Sequence, residues 1–325
     1  MEGAPWPGAL GVSGGSDSLA LMLLLRDWAE RRRLPPPIVL CVDHGLRASS
    51  TNEARKVLGW AKKAGLEAHA LKGKLLKSNI EAGARQVRYR LMGEWAKHKA
   101  LPAVYVAHTG DDQAETFLLR LGRGSGVDGL SAMRPLSPYP LADFPDLLLT
   151  RPLLGTTRAR LREMLKRRGQ AWIEDPMNAD PRFARARIRN AWPELEALGI
   201  SKTRIADAAA HLARAREALD TVCEAVLARA CRIHGEAAVI DAAALAGAPR
   251  ELGLRALARV LTLVSRNPYR PRFERLERLF DKIAQGKLGA GCTLHGCRIA
   301  PAPRAVFGKQ SLAIRREGPR RGTRS

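Results

Sequence analysis

Short apolar segments alternate with longer amphipathic segments through the first half of the chain. Four apolar segments predict β-strands, at 9–12, 38–42, 66–71 and 103–107. Helical periodicity follows each of the strands, starting near residue 18 and covering about 52–63, 79–99 and 111–121. Strands separated by helices of this length form βαβ units. We therefore predict an α/β fold with a doubly wound, mostly parallel, Rossmann-like sheet.

The pattern changes after Asn190. Ala-rich or charged helical patterns follow, at about 202–230, 250–264 and 272–285. Short alternating segments with glycines between 293 and 314 predict a small β meander. We therefore predict two domains, 1–195 and 196–325, the second mainly helical.

The turn after the first strand, Ser13-Gly14-Gly15-Ser16-Asp17-Ser18, is the most informative segment. A glycine-rich turn that enters a helix directs free backbone N–H groups and the positive helix end at one point, which suits a phosphate. The serines add hydroxyl donors. Asp17 would repel a phosphate unless a cation lay between them, so it indicates bound Mg²⁺. The turn lacks the lysine of a Walker loop.

Two further polar clusters end strands, at Asp43–Arg47 and His108–Asp112. Ligands of open α/β sheets bind beyond the carboxyl ends of the strands, so we expect both clusters near the glycine-rich turn. Asp112 and Glu115 are three residues apart and share one helix face. Two such carboxylates suit a divalent cation or a cationic substrate. Asp111 is a candidate for the cap of this helix.

Charge narrows the class of partner. The 325 residues include 55 Lys and Arg against 32 Asp and Glu, a net charge of +23. Such a surplus of positive charge indicates a polyanionic partner, and nucleic acid is the first candidate. A generally Arg-rich proteome would also raise the net charge. The five cysteines form no C-x-x-C pair, which favours reduced thiols in a cytoplasmic protein. The longest apolar run, Leu19–Leu25, is too short to span a bilayer, so we expect no membrane partner.

The turn at 13–18 resembles the SGGxDS signature of the N-type ATP pyrophosphatases, also called PP-loop enzymes. Within that superfamily the spaced motifs of residues 1–190 resemble those of the bacterial tRNA(Ile)-lysidine synthetases. These motifs are Asp43-His44-Gly45-Leu46-Arg47, Glu81…Arg85…Arg88-Tyr89, His108…Thr116, Arg123-Gly124-Ser125-Gly126, Arg151-Pro152-Leu153-Leu154 and Trp172…Arg189. The end of the chain resembles the family's accessory domain only loosely.

The resemblance implies a ligase for which ATP and Mg²⁺ are the cofactors and tRNA(Ile) and free L-lysine the substrates. The C2 oxygen of the wobble cytidine would be adenylated, and the lysine ε-amine would then displace AMP. Residues 1–195 would be catalytic and 196–325 would bind tRNA. The implied catalytic residues are Asp17, His108, Asp112 and Glu115, with Asp17 and Asp112 as the metal ligands. The sequence leaves open whether the protein forms a homodimer.

The same resemblance implies which residues bind each substrate. The expected ATP contacts are Ser13, Gly14, Gly15, Ser16, Asp17, Ser18, Asp43, His44, Arg85, Arg123 and Gly124. The expected tRNA contacts are Arg47, Arg88, Arg185, Arg187 and Arg189.

Two alternatives remain open from the sequence. A PP-loop tRNA thiolase also activates a base oxygen, but it typically needs reactive or cluster-binding cysteines, and the five here lack that spacing. A non-catalytic RNA-binding protein would retain the basic surface and would not need Asp17, Asp112 and Glu115 together.

Overall fold

The computed structural model describes residues 3–43, 50–73, 80–174, 180–267 and 270–318, with the side chains of 80–82 excepted. The chain forms two compact units, Met1–Ala213 and Arg214–Ser325. The predicted functional division at 195 falls within the first unit and stays a prediction.

The first unit contains a six-stranded sheet. Its strands are β1 (Gly8–Gly11), β2 (Ile38–Asp43), β3 (Ala68–Lys72), β4 (Ala103–Tyr105), β5 (Leu136–Pro138) and β6 (Leu148–Thr150). The strand order is β3-β2-β1-β4-β6-β5, and every neighbouring pair is parallel except β5 and β6. The predicted doubly wound, mostly parallel fold is confirmed.

Helices cover both faces of this sheet. They are α1 (Ser16–Arg31), α2 (Ser50–Lys63), α3 (Ile80–His98), α4 (Gly110–Leu121), α5 (Val127–Leu130), α6 (Arg158–Arg167), α7 (Ala184–Asn190), α8 (Trp192–Ala197) and the start of α9 (Lys202–Ala230). Successive strand residues point to opposite faces. Leu10 accordingly packs in one core with α1, α2 and α6, whereas Ala9 packs in another with α3.

The segment 135–147, which contains four prolines, connects α5 to β6 and packs against the rest of the first unit. It contributes β5, an antiparallel edge strand that the sequence analysis did not predict. Tyr139 and Phe144 are buried, and the Tyr139 hydroxyl donates a 2.6 Å hydrogen bond to the backbone oxygen of Tyr89 on α3. These contacts fix the segment against the sheet.

The second unit contains a five-stranded antiparallel sheet. Its elements, after α9, are β7 (Cys231–His234), β8 (Ala237–Asp241), α10 (Ala242–Ala246), α11 (Arg250–Ser265), α12 (Phe273–Ala284), β9 (Cys292–Leu294), β10 (Cys297–Pro301) and β11 (Ser311–Arg316). The strand order is β7-β8-β11-β10-β9. Leu257, Leu261 and Phe280 of the helices pack on Ile240 and Ile299 of the sheet.

The β7–β8 hairpin was missed from sequence. It follows α9 directly, and its strands are only four and five residues long. Gly235 makes the tight turn at φ +59°, a conformation that glycine adopts without strain. Within the residues described, no helix combines the length and the apolar character needed to cross a membrane.

Candidate active site

The turn after β1 leads directly into α1. The helix begins at Ser16, two residues before the predicted start, so Ser16, Asp17 and Ser18 form its first turn. Their N–H groups have no acceptor inside the helix and lie at its positive end. Gly14 has φ +89°, and a Cβ there would lie 2.7 Å from Ile173 Cδ1. A side chain at this position is therefore disfavoured by the backbone conformation and would also require Ile173 to shift.

The serine hydroxyls of the turn have separate tasks. The Ser18 Oγ donates to the Gly15 oxygen at 2.9 Å and accepts the Ser13 N–H at 3.2 Å, so it shapes the turn itself. The Ser16 Oγ donates to Asp17 Oδ1 at 3.2 Å and accepts from Arg162 Nε at 3.3 Å. Ser16 thus links the turn to α6.

The start of α4 fixes the orientation of Asp112. Thr109 is the N-cap, and Asp112 Oδ2 accepts hydrogen bonds from the Thr109 N–H and Oγ1, both at 2.8 Å. This capping box leaves Asp112 Oδ1 for contacts outside the helix.

Asp111 does not cap α4, in contrast to the expectation from its position. Its Oδ1 accepts from Lys202 Nζ at 2.7 Å, and its Oδ2 accepts from the Arg158 backbone N–H, also at 2.7 Å. Burial by itself raises the pKa of Asp111, but these two donors hold that pKa below its ordinary value. Asp111 is thus a buried anchor for the starts of α6 and α9.

Arg158, the first residue of α6, lies among three carboxylates. Its Nε contacts Asp17 Oδ2 at 2.9 Å, its Nη2 contacts Asp112 Oδ1 at 3.2 Å, and its Nη1 lies 3.6 Å from Glu115 Oε1. Burial opposes the charge of Arg158, but the carboxylates raise its pKa above the ordinary value. Arg158 was not predicted as a site residue from the sequence. A cation at a helix N-terminus, where the dipole disfavours it, was the available signal.

Two residues that the sequence analysis assigned to tRNA also pair with these carboxylates. Arg189 binds Glu115 through two contacts, Nε to Oε1 at 2.6 Å and Nη2 to Oε2 at 3.1 Å. Arg185 Nη1 lies 3.4 Å from Asp112 Oδ1 and 3.8 Å from Glu115 Oε2. We call Asp17, Asp112, Glu115, Arg158, Arg185 and Arg189 the charge cluster; its formal charges balance.

His108, at the end of the strand that leads to α4, is held neutral. Burial lowers its pKa to about 4; Asp112 opposes this shift, and Arg151, Arg85 and Arg185 add to it. Its Nδ1 is buried and has no hydrogen-bond partner among the residues described. The imidazole is therefore unprotonated at neutral pH.

Comparison with known proteins places this site in a family. The model of the PP-loop domain matches residues 8–195. A tRNA(Ile)-lysidine synthase from Wolbachia sp. subsp. Brugia malayi is 35% identical over 311 residues, which cover 94% of this chain and 70% of that protein. One from Bradyrhizobium sp. BTAi1 is 38% identical and covers 90% of this chain and 89% of its own length. The chain belongs to the tRNA(Ile)-lysidine synthase family.

A solved structure agrees on the fold of this tRNA(Ile)-lysidine synthase family member. A U34-tRNA thiolase from Methanococcus maripaludis, with its [4Fe-4S] cluster, aligns at a TM-score of 0.51 over 63% of this chain and 72% of that one, at 17% identity. This similarity concerns the fold alone.

The cysteines of the chain do not resemble a reactive set. All five are free, and Cys41, Cys223 and Cys297 are buried. Burial raises the pKa of the Cys41 thiol to about 12, with Asp43 and Glu53 adding to the effect. A reactive thiol needs the opposite shift.

Other residues expected at the lysidine synthase site make contacts outside the charge cluster. Asp43 ends β2 and accepts a 2.9 Å hydrogen bond from Thr51 Oγ1. Arg85 is exposed on α3, 5.0 Å above the Tyr89 ring, and Arg88 lies one turn further along. Arg123 and Gly124 lie in the exposed turn after α4, and Arg187 is exposed on α7. His44 and Arg47 lie outside the described residues.

Asp17 and Asp112 are positioned to share a cation. Asp17 Oδ2 and Asp112 Oδ1 contact the same guanidinium, so both oxygens face one point. Carboxylate oxygens suit Mg²⁺, which often takes only one or two protein ligands and completes its shell with phosphate and water. No group of three or more His, Cys, Asp or Glu among the described residues is arranged to hold a metal. The two oxygens therefore fit a metal shared with a phosphate ligand.

Proposed function

We propose that the chain ligates free L-lysine to C2 of the wobble cytidine of a minor isoleucine tRNA and converts ATP to AMP and pyrophosphate. The observation that carries this proposal is the charge cluster directly beside the glycine-rich turn. The turn suits a phosphate, and the carboxylates suit a metal and an ammonium group. Membership of the tRNA(Ile)-lysidine synthase family supports the assignment of both substrates.

ATP would bind with its phosphates at the start of α1. The first-turn N–H groups allow close approach of an anion. Asp17 and Asp112 would hold Mg²⁺ there, and the metal would offset charge on the triphosphate.

The reaction would proceed in two steps. The C2 oxygen of cytidine attacks the α-phosphorus, and pyrophosphate leaves. The lysine amine then forms a bond to C2, and AMP carries away the oxygen. The side-chain amine of free lysine has an ordinary pKa of about 10.4, so it is an ammonium group at neutral pH and must lose a proton before it can attack C2. Asp112 and Glu115 would orient the ammonium. His108, neutral with a pKa of about 4, is available only as a weak acceptor.

The tRNA would contact exposed cationic side chains, and each of the two units offers some. Arg187 is exposed on α7 of the first unit. In the second unit, Arg298 on β10 lies directly opposite Arg315 on β11, and both are exposed. Like charges at opposed positions disfavour a sheet. Neither guanidinium has an ion-pair partner in the described part of the chain, so a phosphate backbone would complement them.

The test is a ligation assay. Purified protein is incubated with tRNA(Ile) transcript, ATP, Mg²⁺ and labelled lysine, and both lysine incorporation and pyrophosphate are measured. Wild type should form one pyrophosphate per lysine incorporated. Asp17→Ala should release no pyrophosphate and still bind tRNA, and Arg160→Gln, an exposed change on α6, should behave as wild type. Binding of tRNA without pyrophosphate release by wild type would instead support the non-catalytic alternative.

A further inference from the structure

Arg158 occupies the point that the proposed metal and phosphates would need. Its three guanidinium nitrogens each face a different carboxylate, at 2.9, 3.2 and 3.6 Å. Asp17 Oδ2 and Asp112 Oδ1, the two oxygens suited to a cation, are thus already neutralised by the protein. A metal ion cannot bind both oxygens while Arg158 stays between them.

The neighbouring arginines do not share this position. Arg189 binds both oxygens of Glu115, and Arg185 makes only longer contacts, 3.4 Å or more, to Asp112 and Glu115. Among the residues that the structure describes, Arg158 is the cation that contacts both Asp17 on α1 and Asp112 on α4. If its side chain rotated away, Glu115 would keep a partner, whereas Asp17 Oδ2 would be released.

The backbone of Arg158 is anchored independently of its side chain. Its N–H donates to Asp111 Oδ2 at 2.7 Å, and Thr157 caps α6. The side chain can therefore exchange partners by rotation alone, without movement of the helix. A positive charge at a helix N-terminus destabilises the helix, so the presence of Arg158 is explained by its contacts with the carboxylates of the site and not by helix stability.

We propose that Arg158 is an exchangeable counter-ion: it neutralises Asp17 and Asp112 in the ligand-free protein and transfers to the phosphates when nucleotide binds, which frees Asp17 Oδ2 for the metal and leaves Asp112 Oδ1 with only its longer contact to Arg185. A polyanion that enters the turn competes with Asp17 and Asp112 for the guanidinium, and charge-assisted contacts to phosphate are strong. Anion and cation binding are thereby coupled, and the coupling is reciprocal. This inference rests on the proposed function only for the identity of the nucleotide.

The test measures binding of Mg²⁺ alone and of ATP with Mg²⁺ by calorimetry on the full chain. In Arg158→Gln the competing guanidinium is absent, so the affinity for Mg²⁺ without nucleotide should rise at least tenfold. Its affinity for ATP with Mg²⁺ should fall at least tenfold, because a phosphate contact is lost. Arg160→Gln makes the same change of charge two residues away on an exposed position and should alter neither affinity.

Arg158→Lys is the second variant. The single nitrogen of a lysine ammonium cannot occupy the three separate positions of the guanidinium nitrogens, so the Mg²⁺ affinity of Arg158→Lys should lie between those of wild type and Arg158→Gln. This comparison decides the matter if Arg158→Gln does not fold. Unchanged Mg²⁺ affinity in the variants, or a parallel fall in both affinities, would overturn the proposal. If wild type bound no ATP, the proposed function would fail, while a gain in Mg²⁺ binding by Arg158→Gln would still support the competition between Arg158 and the metal for Asp17 and Asp112.

Discussion

The pair of Glu115 and Arg189 should be the strongest single coupling in the charge cluster. The Glu115 side chain is 5% exposed and that of Arg189 is 28% exposed, and two hydrogen bonds join them. Opposite charges about 3 Å apart at an effective dielectric constant of about 20 attract by roughly 5–6 kcal/mol. Desolvation offsets much of that attraction, so we expect a net coupling of about 1.5–3 kcal/mol.

A double-mutant cycle measures this coupling. The free energy of unfolding is determined in urea for wild type, Glu115→Gln, Arg189→Gln and the double variant, all free of ligand. All six tryptophans, from Trp6 to Trp192, belong to the first unit, so their fluorescence reports its unfolding alone. Each single change should cost more than half of the loss in the double variant, because it leaves a buried charge without its partner.

An exposed pair provides the matched control. Glu163 and Arg167 lie one turn apart on α6, with side chains 59% and 75% exposed. Water screens such a pair, so its coupling should be about 0.5 kcal/mol or less. If the coupling of Glu115 to Arg189 were no larger than this control, the charge cluster would not hold the site together as argued.

Three further predictions concern other parts of the molecule. Wild type should lose about 1–3 kcal/mol more stability than His108→Asn as pH falls from 6.5 to about 4, because only the unfolded chain protonates His108 in that range. Gly14→Ala should lower the free energy of unfolding by about 1–3 kcal/mol and weaken ATP binding, since the new Cβ meets Ile173 and φ is +89°. Reversing the charges of Arg298 and Arg315 should weaken tRNA binding. The slope of the logarithm of the binding constant against the logarithm of the salt concentration should fall in magnitude by roughly 2.

Each of these has a control. For the pH series, equal slopes in both proteins would mean that His108 titrates normally when folded. Gly124→Ala at φ +69° meets no atom within 4 Å, so it isolates backbone strain from the steric clash at Gly14, and equal losses would contradict the clash. For tRNA binding, Arg278→Glu on the exposed face of α12 should have a smaller effect, and a salt slope unchanged by the paired reversal would remove the sheet from the interface.

Much of the fold was predictable because its signals are local. The helices at 202–230 and 250–265 were predicted to within one residue, since apolar periodicity sets which residues a helix can bury. The β7–β8 hairpin was missed because its strands are short and follow α9 directly, and β8 is held in the sheet by its non-local pairing with β11.

The candidate site divides in the same way. Asp17, Asp112 and Glu115 were predicted as cation-binding carboxylates from their positions in the turn and on one helix face, and the catalytic roles, including that of His108, were implied by the family resemblance. The partners of these acids were not predicted, and Arg185 and Arg189 were assigned to tRNA. Arg158 and Asp17 are 141 residues apart along the chain, so no local pattern links them.

The amino-acid sequence by itself determined most of the order of the strands and helices along the chain, the glycine-rich turn before α1 and the family, because periodicity, capping residues and glycine conformation act over a few neighbouring residues. Only the tertiary structure decided which cation each carboxylate binds. That pairing depends on where the start of α6 and the end of α7 pack beside α4, and a buried charge takes whichever opposite charge the fold brings within hydrogen-bond distance.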